Sequence, residues 1–162
     1  MENNKIYLRT NILKQDVENV TEILSSTNFF RKDEIDVAIE LVEETISKGK
    51  EAGYEFVFAE IDNKTVAYTC FGSIPCSVVS FDLYWIATHQ DYRGKGIGKI
   101  ILQKTEEIVK ILGGRSIYIE TSSKPLYEST RQFYLSNNYN LEALFEDFYD
   151  IGDGKCVYVK KL

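Results

Sequence analysis

Six consecutive residues, Arg93-Gly94-Lys95-Gly96-Ile97-Gly98, carry the densest chemical signal in the chain. Glycines let a backbone turn tightly and approach a ligand with no Cβ in the way. The segment follows a stretch that reads as a strand and opens one that reads as a helix. The first amides of a helix have no intrahelical acceptor and point outward, and the helix dipole adds partial positive charge there. Such a turn suits a phosphate or pyrophosphate, with Lys95 and Lys99 adding positive charge at its rim. Two other phosphate loops fit less well. A Walker A loop places Ser or Thr after Gly-Lys, and this segment has neither there. A dinucleotide fingerprint uses GxGxxG in an early strand–turn–helix unit. Here the spacing is GxGxG, preceded by Arg, past mid-chain and after several antiparallel-looking strands. A glycine turn that binds nothing is the remaining alternative.

The elements that must position this turn follow from periodicity. Ile6 to Arg9 reads as a first strand. Asp16 is placed to cap a helix whose Val17, Val20, Ile23 and Leu24 share a face. A second helix follows Asp33, with Ile35, Ala38, Ile39, Val42 and Ile46 at helical spacing, and Gly49 or Gly53 ends it. Tyr54–Ile61 and Thr65–Phe71 read as a hairpin about Asp62-Asn63-Lys64, and Val79–Thr88 as a longer strand. The helix after the glycine turn has Ile97, Ile100, Ile101, Ile108, Val109, Ile111 and Leu112 on its inward side and stops at Gly113-Gly114. Ser116–Thr121 is another strand, Ser129–Asn137 a short helix, and Leu141–Tyr149 with Cys156–Lys161 a closing pair of strands. The order β-α-α-β-β-β-α-β-α-β-β predicts an α/β (α+β) fold, a mixed central sheet with helices on both faces, in one domain over residues 1–162.

Composition narrows the partners. The 162 residues suit one core, and 44% hydrophobic with 27% charged is ordinary for a globular protein. The charge of 19 minus 25, or −6, disfavours nucleic acid and weakly favours a cationic partner. Cys70, Cys76 and Cys156 form no CxxC pair and His89 is the single histidine, so neither a metal site nor a disulfide framework is expected. Met1 to Lys5 has no signal-like apolar region, and no run is long enough to span a bilayer. The expectation is a cytoplasmic protein with reduced thiols and no membrane partner; a homodimer is compatible with it.

The run from Asp82 to Gly98 resembles the central motif of the GNAT (Gcn5-related) N-acetyltransferases: a strand, then Gln or Arg-x-x-Gly-x-Gly or Ala, then a helix. Arg93, Gly96 and Gly98 occupy its fixed positions. Further on, Arg131-Gln132-Phe133-Tyr134 followed by Asn137-Asn138-Tyr139 is similar to a second family landmark, a helix bearing Phe-Tyr shortly before a Gly-Phe or Gly-Tyr pair. Two positions depart from the pattern. Tyr127 stands where many members have an Asn that helps hold the CoA arm. Asn138 replaces the usual Gly after the second helix, and Asn also adopts the left-handed conformation.

The resemblance implies a GNAT-like acyl-CoA N-acyltransferase fold and transfer of an acetyl group from acetyl-CoA to a primary amine, both substrates being bound together. It implies that the strand ending at Thr88 splays from the strand after Arg115 and that the CoA arm lies between them. Backbone groups of Ile86, Ala87 and Thr88 would meet the pantetheine, with an N–H near Ile86 polarising the thioester carbonyl. The amides of Gly94, Lys95, Gly96, Ile97, Gly98 and Lys99 would take the pyrophosphate. Asp82 aligns with an acidic residue that acts as base in some members. Strand alternation would set it on one face with Tyr84, Ile86 and Thr88; the alternative is a solvent-facing Asp near a strand start. Tyr134 matches a tyrosine that donates a proton to the CoA sulfur; the alternative is a core tyrosine. His89 reads as a surface residue beyond the strand. Glu120 and Tyr84 are acceptor-site candidates. The acceptor is a small-molecule or peptide amine, its identity unmarked in the sequence. The alternatives from other classes are a GNAT-like module that senses acyl-CoA without turning it over, and a nucleotide-binding protein that prefers ATP or NAD.

Overall fold

The computed structural model describes residues 5–162; the first four residues, part of the N-terminal reading above, lie outside them. Seven strands form one mixed sheet: β1 (Tyr7–Arg9), β2 (Glu55–Ile61), β3 (Lys64–Ser73), β4 (Ser80–Thr88), β5 (Ser116–Ser122), β6 (Asn140–Asp150) and β7 (Asp153–Lys161). Their order is β1-β2-β3-β4-β5-β7-β6. Four helices accompany them: α1 (Asp16–Ser26), α2 (Lys32–Lys48), α3 (Ile97–Ile111) and α4 (Glu128–Ser136). The expected element order is the observed one. Among the described residues no helix is long and apolar enough to cross a membrane.

Contacts divide the chain into two compact units, the residues up to Gly72 with Trp85–Ile108, and Ser73–Tyr84 with Val109–Leu162. The first unit is built on the antiparallel β1–β2–β3 ladder. Both faces of β3 are covered. Tyr68 and Cys70 join a core with Val20, Ile23 and Leu24 of α1, Ala38 and Val42 of α2, and Phe56 and Phe58 of β2. Thr69, between them, points the other way, its hydroxyl 2.7 Å from that of Thr105 on α3. Strand alternation therefore separates α1 and α2 from α3.

Asp16 is not the cap of α1. Gln15 holds that position, and Asp16 is fully buried instead. Its carboxylate accepts from Arg9 Nη2 at 2.8 Å and Nη1 at 2.9 Å, from Leu13 N–H at 2.7 Å and from Asn19 Nδ2 at 2.9 Å. A bidentate guanidinium outcompetes the helix amides for it. The second helix starts at Lys32 rather than after Asp33; Arg31 N–H donates to Glu34 Oε2 at 2.8 Å and opens it.

In the second unit β4 and β5 run parallel, and β5 pairs antiparallel with β7, which pairs with β6. Ile111 and Leu112 are 80% and 50% exposed, against the inward face expected for them. The chain leaves α3 there, with Gly113 N–H donating to Lys110 O and Gly114 N–H to Val109 O, so Val109 is the last inward residue. A Cβ on Gly114 would lie 2.3 Å from Val109 Cγ1 and 2.7 Å from Phe81 Cδ2, which puts Phe81 against the end of α3. The closing hairpin is longer than expected, β7 starting at Asp153 rather than Cys156.

Candidate functional site

The glycine turn is exposed from Arg93 to Gly96, and Ile97 drops into the core as α3 begins. Gly94 and Gly96 have φ of +74° and +80°, and the space a Cβ would enter is open at both. Positive φ favours glycine, and the open side leaves the backbone free for close approach. The first intrahelical bond runs from Ile100 N–H to Gly96 O at 3.2 Å, so the amides of Ile97, Gly98 and Lys99 precede the ladder. No acidic residue sits in the first turn of α3 to compete with an anion. The Lys95 ammonium folds back, 3.0 Å from Asp91 O and over the Tyr92 ring at 5.0 Å. Arg93 Nη1 reaches Gln90 Oε1 at 3.5 Å.

A short 3₁₀ turn, Gln90–Tyr92, delivers the chain from β4 to these glycines. Its anchor is His89, which is buried rather than at the surface. The His89 N–H donates to Val66 O at 2.8 Å and carries the strand on to β3. Nδ1 accepts from Asp91 N–H at 3.2 Å, which requires that nitrogen to be unprotonated. Nε2 lies 3.6 Å from Glu22 Oε1, itself 2.8 Å from Lys64 Nζ. Ser26 Oγ of α1 accepts from Gln90 N–H at 3.0 Å. Nothing local in the sequence marks Ser26 or Glu22 for this task, because both arrive from a distant helix.

Ile86 and Thr88 are half-buried and Ala87 is buried. In the second unit, Asp82 occupies the last rung of the β4–β5 ladder, opposite Tyr118, while both strands run on. Tyr118 and Glu120 share a face of β5, and Glu120 Oε1 is 3.3 Å from Lys155 Nζ. Lys155 also lies over the Phe148 ring at 4.0 Å. Partial burial and then the Glu120 charge raise the Asp82 pKa from its ordinary value, with Lys155 opposing. Tyr149 is pushed up to about 12, chiefly by burial and then by Glu120 and Asp153.

Tyr134 is buried on α4, its ring 5.8 Å from Tyr158, 6.1 Å from Tyr139 and 5.7 Å from Phe133. Burial pushes its phenol pKa well up, so it is neutral and able to donate at physiological pH. α4 ends with Tyr139 N–H on Tyr134 O at 3.1 Å and Asn138 at φ +67°, the left-handed role expected of that asparagine. Tyr127 is the residue immediately ahead of α4. Among the described residues no group of three or more His, Cys, Asp or Glu could hold a metal.

A family model described as acetyltransferase (GNAT) family matches residues 17–135. A solved GNAT-family protein from Desulfovibrio desulfuricans is 37% identical, with 97% of this chain and 99% of that one covered at a TM-score of 0.95. The aminoglycoside 6'-N-acetyltransferase from Enterococcus faecium shares the fold at 16% identity, TM-score 0.76, with 96% of each chain covered. So does the PaiA N-acetyltransferase from Thermoplasma acidophilum, solved in complex with coenzyme A, at 19% identity and TM-score 0.72, covering 98% and 99% of the two chains. A search of curated proteins found no match.

Proposed function

The chain belongs to the GNAT acetyltransferase family, and from that premise we propose that it moves an acetyl group from acetyl-CoA to a primary amine by direct attack within a ternary complex. The observation that carries the proposal is the exposed turn with Gly94 and Gly96 at positive φ, open on the Cβ side, directly ahead of the free amides of α3. These groups suit a pyrophosphate, and Arg93 and Lys99 add charge beside them.

Acetyl-CoA, when bound, supplies an activated acyl carbon as a thioester. The chain has three tasks around it. Backbone groups of Ile86 to Thr88 hold the pantetheine, as a peptide adds to a strand edge. Asp82 takes a proton from the incoming ammonium, whose pKa of about 10.4 for a lysine-like amine leaves it protonated at neutral pH. The raised pKa of Asp82 supports this assignment, since it brings the carboxylate closer to the operating pH. Tyr134, neutral and buried, donates a proton to the leaving thiolate. The acid groups Asp82 and Glu120 support a cationic acceptor, a small-molecule or peptide amine.

The test is an amine panel with acetyl-CoA, read as free thiol released. Amine-dependent release supports transfer. CoA binding with no release from any amine would make the chain an acyl-CoA-binding module.

A further inference from the structure

α4 is a helix of nine residues, too short to hold its own orientation without tertiary contacts. Its last turn is fixed by backbone bonds at Asn138 and Tyr139. Its first turn is tied to the sheet by Arg131. Arg131 Nη1 donates to Ser122 O at 2.7 Å and to Lys124 O at 2.8 Å, and Nη2 donates to Glu128 Oε2 at 2.6 Å. The guanidinium side chain is only 13% exposed.

The acceptors are themselves braced. Ser122 Oγ donates to Asp153 Oδ1 at the start of β7 and accepts from Lys124 N–H at 3.1 Å. Lys124 Nζ lies 3.5 Å from Asp153 Oδ2, and Gly154 N–H donates to Ser123 Oγ at 2.7 Å. Arg131 thus clamps α4 onto the joint where the end of β5 meets the start of β7. Tyr134 lies three residues on, the spacing that stacks side chains along one helix face. Its ring packs against Tyr158, on the same β7 strand that Asp153 begins. The clamp and the ring are therefore referenced to one strand pair.

We infer that Arg131 is a positioning residue for Tyr134: its Nη1, donating to the carbonyls of both Ser122 and Lys124, sets the depth and angle of the phenol, and it touches neither substrate. The inference rests on Tyr134 as the proton donor. A guanidinium is suited to the task because one rigid plane serves the two carbonyls through Nη1 and the Glu128 carboxylate through Nη2, whereas an ammonium is a flexible point charge. A displacement of about 1 Å in a reacting group costs up to ~10²-fold in rate. The loss cannot exceed that from removing the Tyr134 hydroxyl, because Arg131 acts through it.

The experiment is a double-mutant cycle of Arg131→Gln with Tyr134→Phe, with Arg131→Lys as a second, milder variant. kcat is measured as thiol release from acetyl-CoA with an amine the wild type turns over. Arg131→Gln should lower kcat about 10-fold with the KM for acetyl-CoA within about twofold, and should cost nothing further in the Tyr134→Phe background. Arg131→Lys should fall between. Equal losses in both backgrounds would overturn the inference and leave Tyr134 as the donor. A Tyr134→Phe enzyme at the wild-type rate would remove both. A readout free of any acceptor is the NMR spectrum of ring-labelled tyrosine. The Tyr134 resonances should move in folded Arg131→Gln and less in Arg131→Lys; an unchanged Tyr134 signal would overturn the inference.

Discussion

Asp82 and Tyr134 project to opposite faces of the β4–β5–β7 layer. Asp82 is in register with Tyr118, and the next residue on β5, Ile119, is in register with Tyr158, whose ring meets Tyr134. Alternation along β5 therefore puts a carboxylate on one side and a phenol on the other. A proposed base and a proposed acid on opposite faces can serve one reaction only where the strands part. The β4–β5 ladder stops at Asp82 and Tyr118 while both strands continue. An amine deprotonated on one face and a thiolate protonated from the other is the arrangement that this register supports.

Tyr134→Phe should keep the ring packing and lose one hydroxyl. The expected result is kcat lower by about 10²-fold, the lower end for a general acid because a thiol of pKa about 8.5 is already a tolerable leaving group. Acetyl-CoA affinity should be unchanged. Steady-state kinetics with one active amine, alongside a binding titration, checks both.

Asp82→Asn should be slowest at low pH, where the amine is most protonated, and partly rescued at high pH. Stability should move oppositely to that of an ordinary ion-paired carboxylate. The folded pKa of Asp82 is raised by burial and Glu120. Its contribution to wild-type stability is thus greatest below the unfolded value of about 3.9 and is lost as pH rises through the folded value. Asp82→Asn should match the wild type in melting temperature at low pH and exceed it at neutral pH. A variant less stable than wild type only at neutral pH would assign Asp82 a stabilising partner.

Tyr68→Phe tests the one buried hydroxyl without a hydrogen-bond partner among the described residues. Tyr68 is fully buried, stacked on Phe58 at 6.3 Å. An unpaired buried hydroxyl costs about 1–3 kcal/mol, so its removal should be neutral or stabilising by about 1 kcal/mol. In a domain this size that is a rise of about 2–4 °C in Tm. A fall in Tm would reveal a partner for the hydroxyl.

Asp16→Ala should be the most damaging of these changes to stability. It would leave the largely buried Arg9 guanidinium with Glu60, at 2.8 Å, as its remaining carboxylate partner. Removing one member of a buried pair costs about 3–5 kcal/mol. Chemical denaturation checks the magnitude; a loss below about 1 kcal/mol would put the pair among exposed ones.

The glycine turn and the element order were legible because both are local: glycine spacing, strand-to-helix context and hydrophobic period lie within short windows. The features that escape a local reading share a long-range cause. Asp16 looked like a cap because nothing near it announces Arg9 as a bidentate partner. His89 reads as exposed because its neighbour Glu22, and the Ser26 hydroxyl that takes the next residue's amide, come from the distant α1. Ile111 and Leu112 continue the apolar period of α3 although the chain has already turned away. The opposite faces of Asp82 and Tyr134 were unreadable for the same reason, since parity across strands depends on register.

Whether the turn from Arg93 to Gly98 ahead of α3 takes the CoA pyrophosphate is decided by calorimetric titration of CoA into wild-type protein and Gly96→Asp, with ATP and NAD as comparators. At φ +80° an aspartate is strained and brings a carboxylate to the phosphate approach. The expected result is CoA binding to the wild type, much weaker binding of ATP and NAD, and loss of CoA binding in a Gly96→Asp protein that retains its folded circular-dichroism spectrum. Wild-type CoA affinity in that variant, or equal affinity for all three nucleotides, would contradict it.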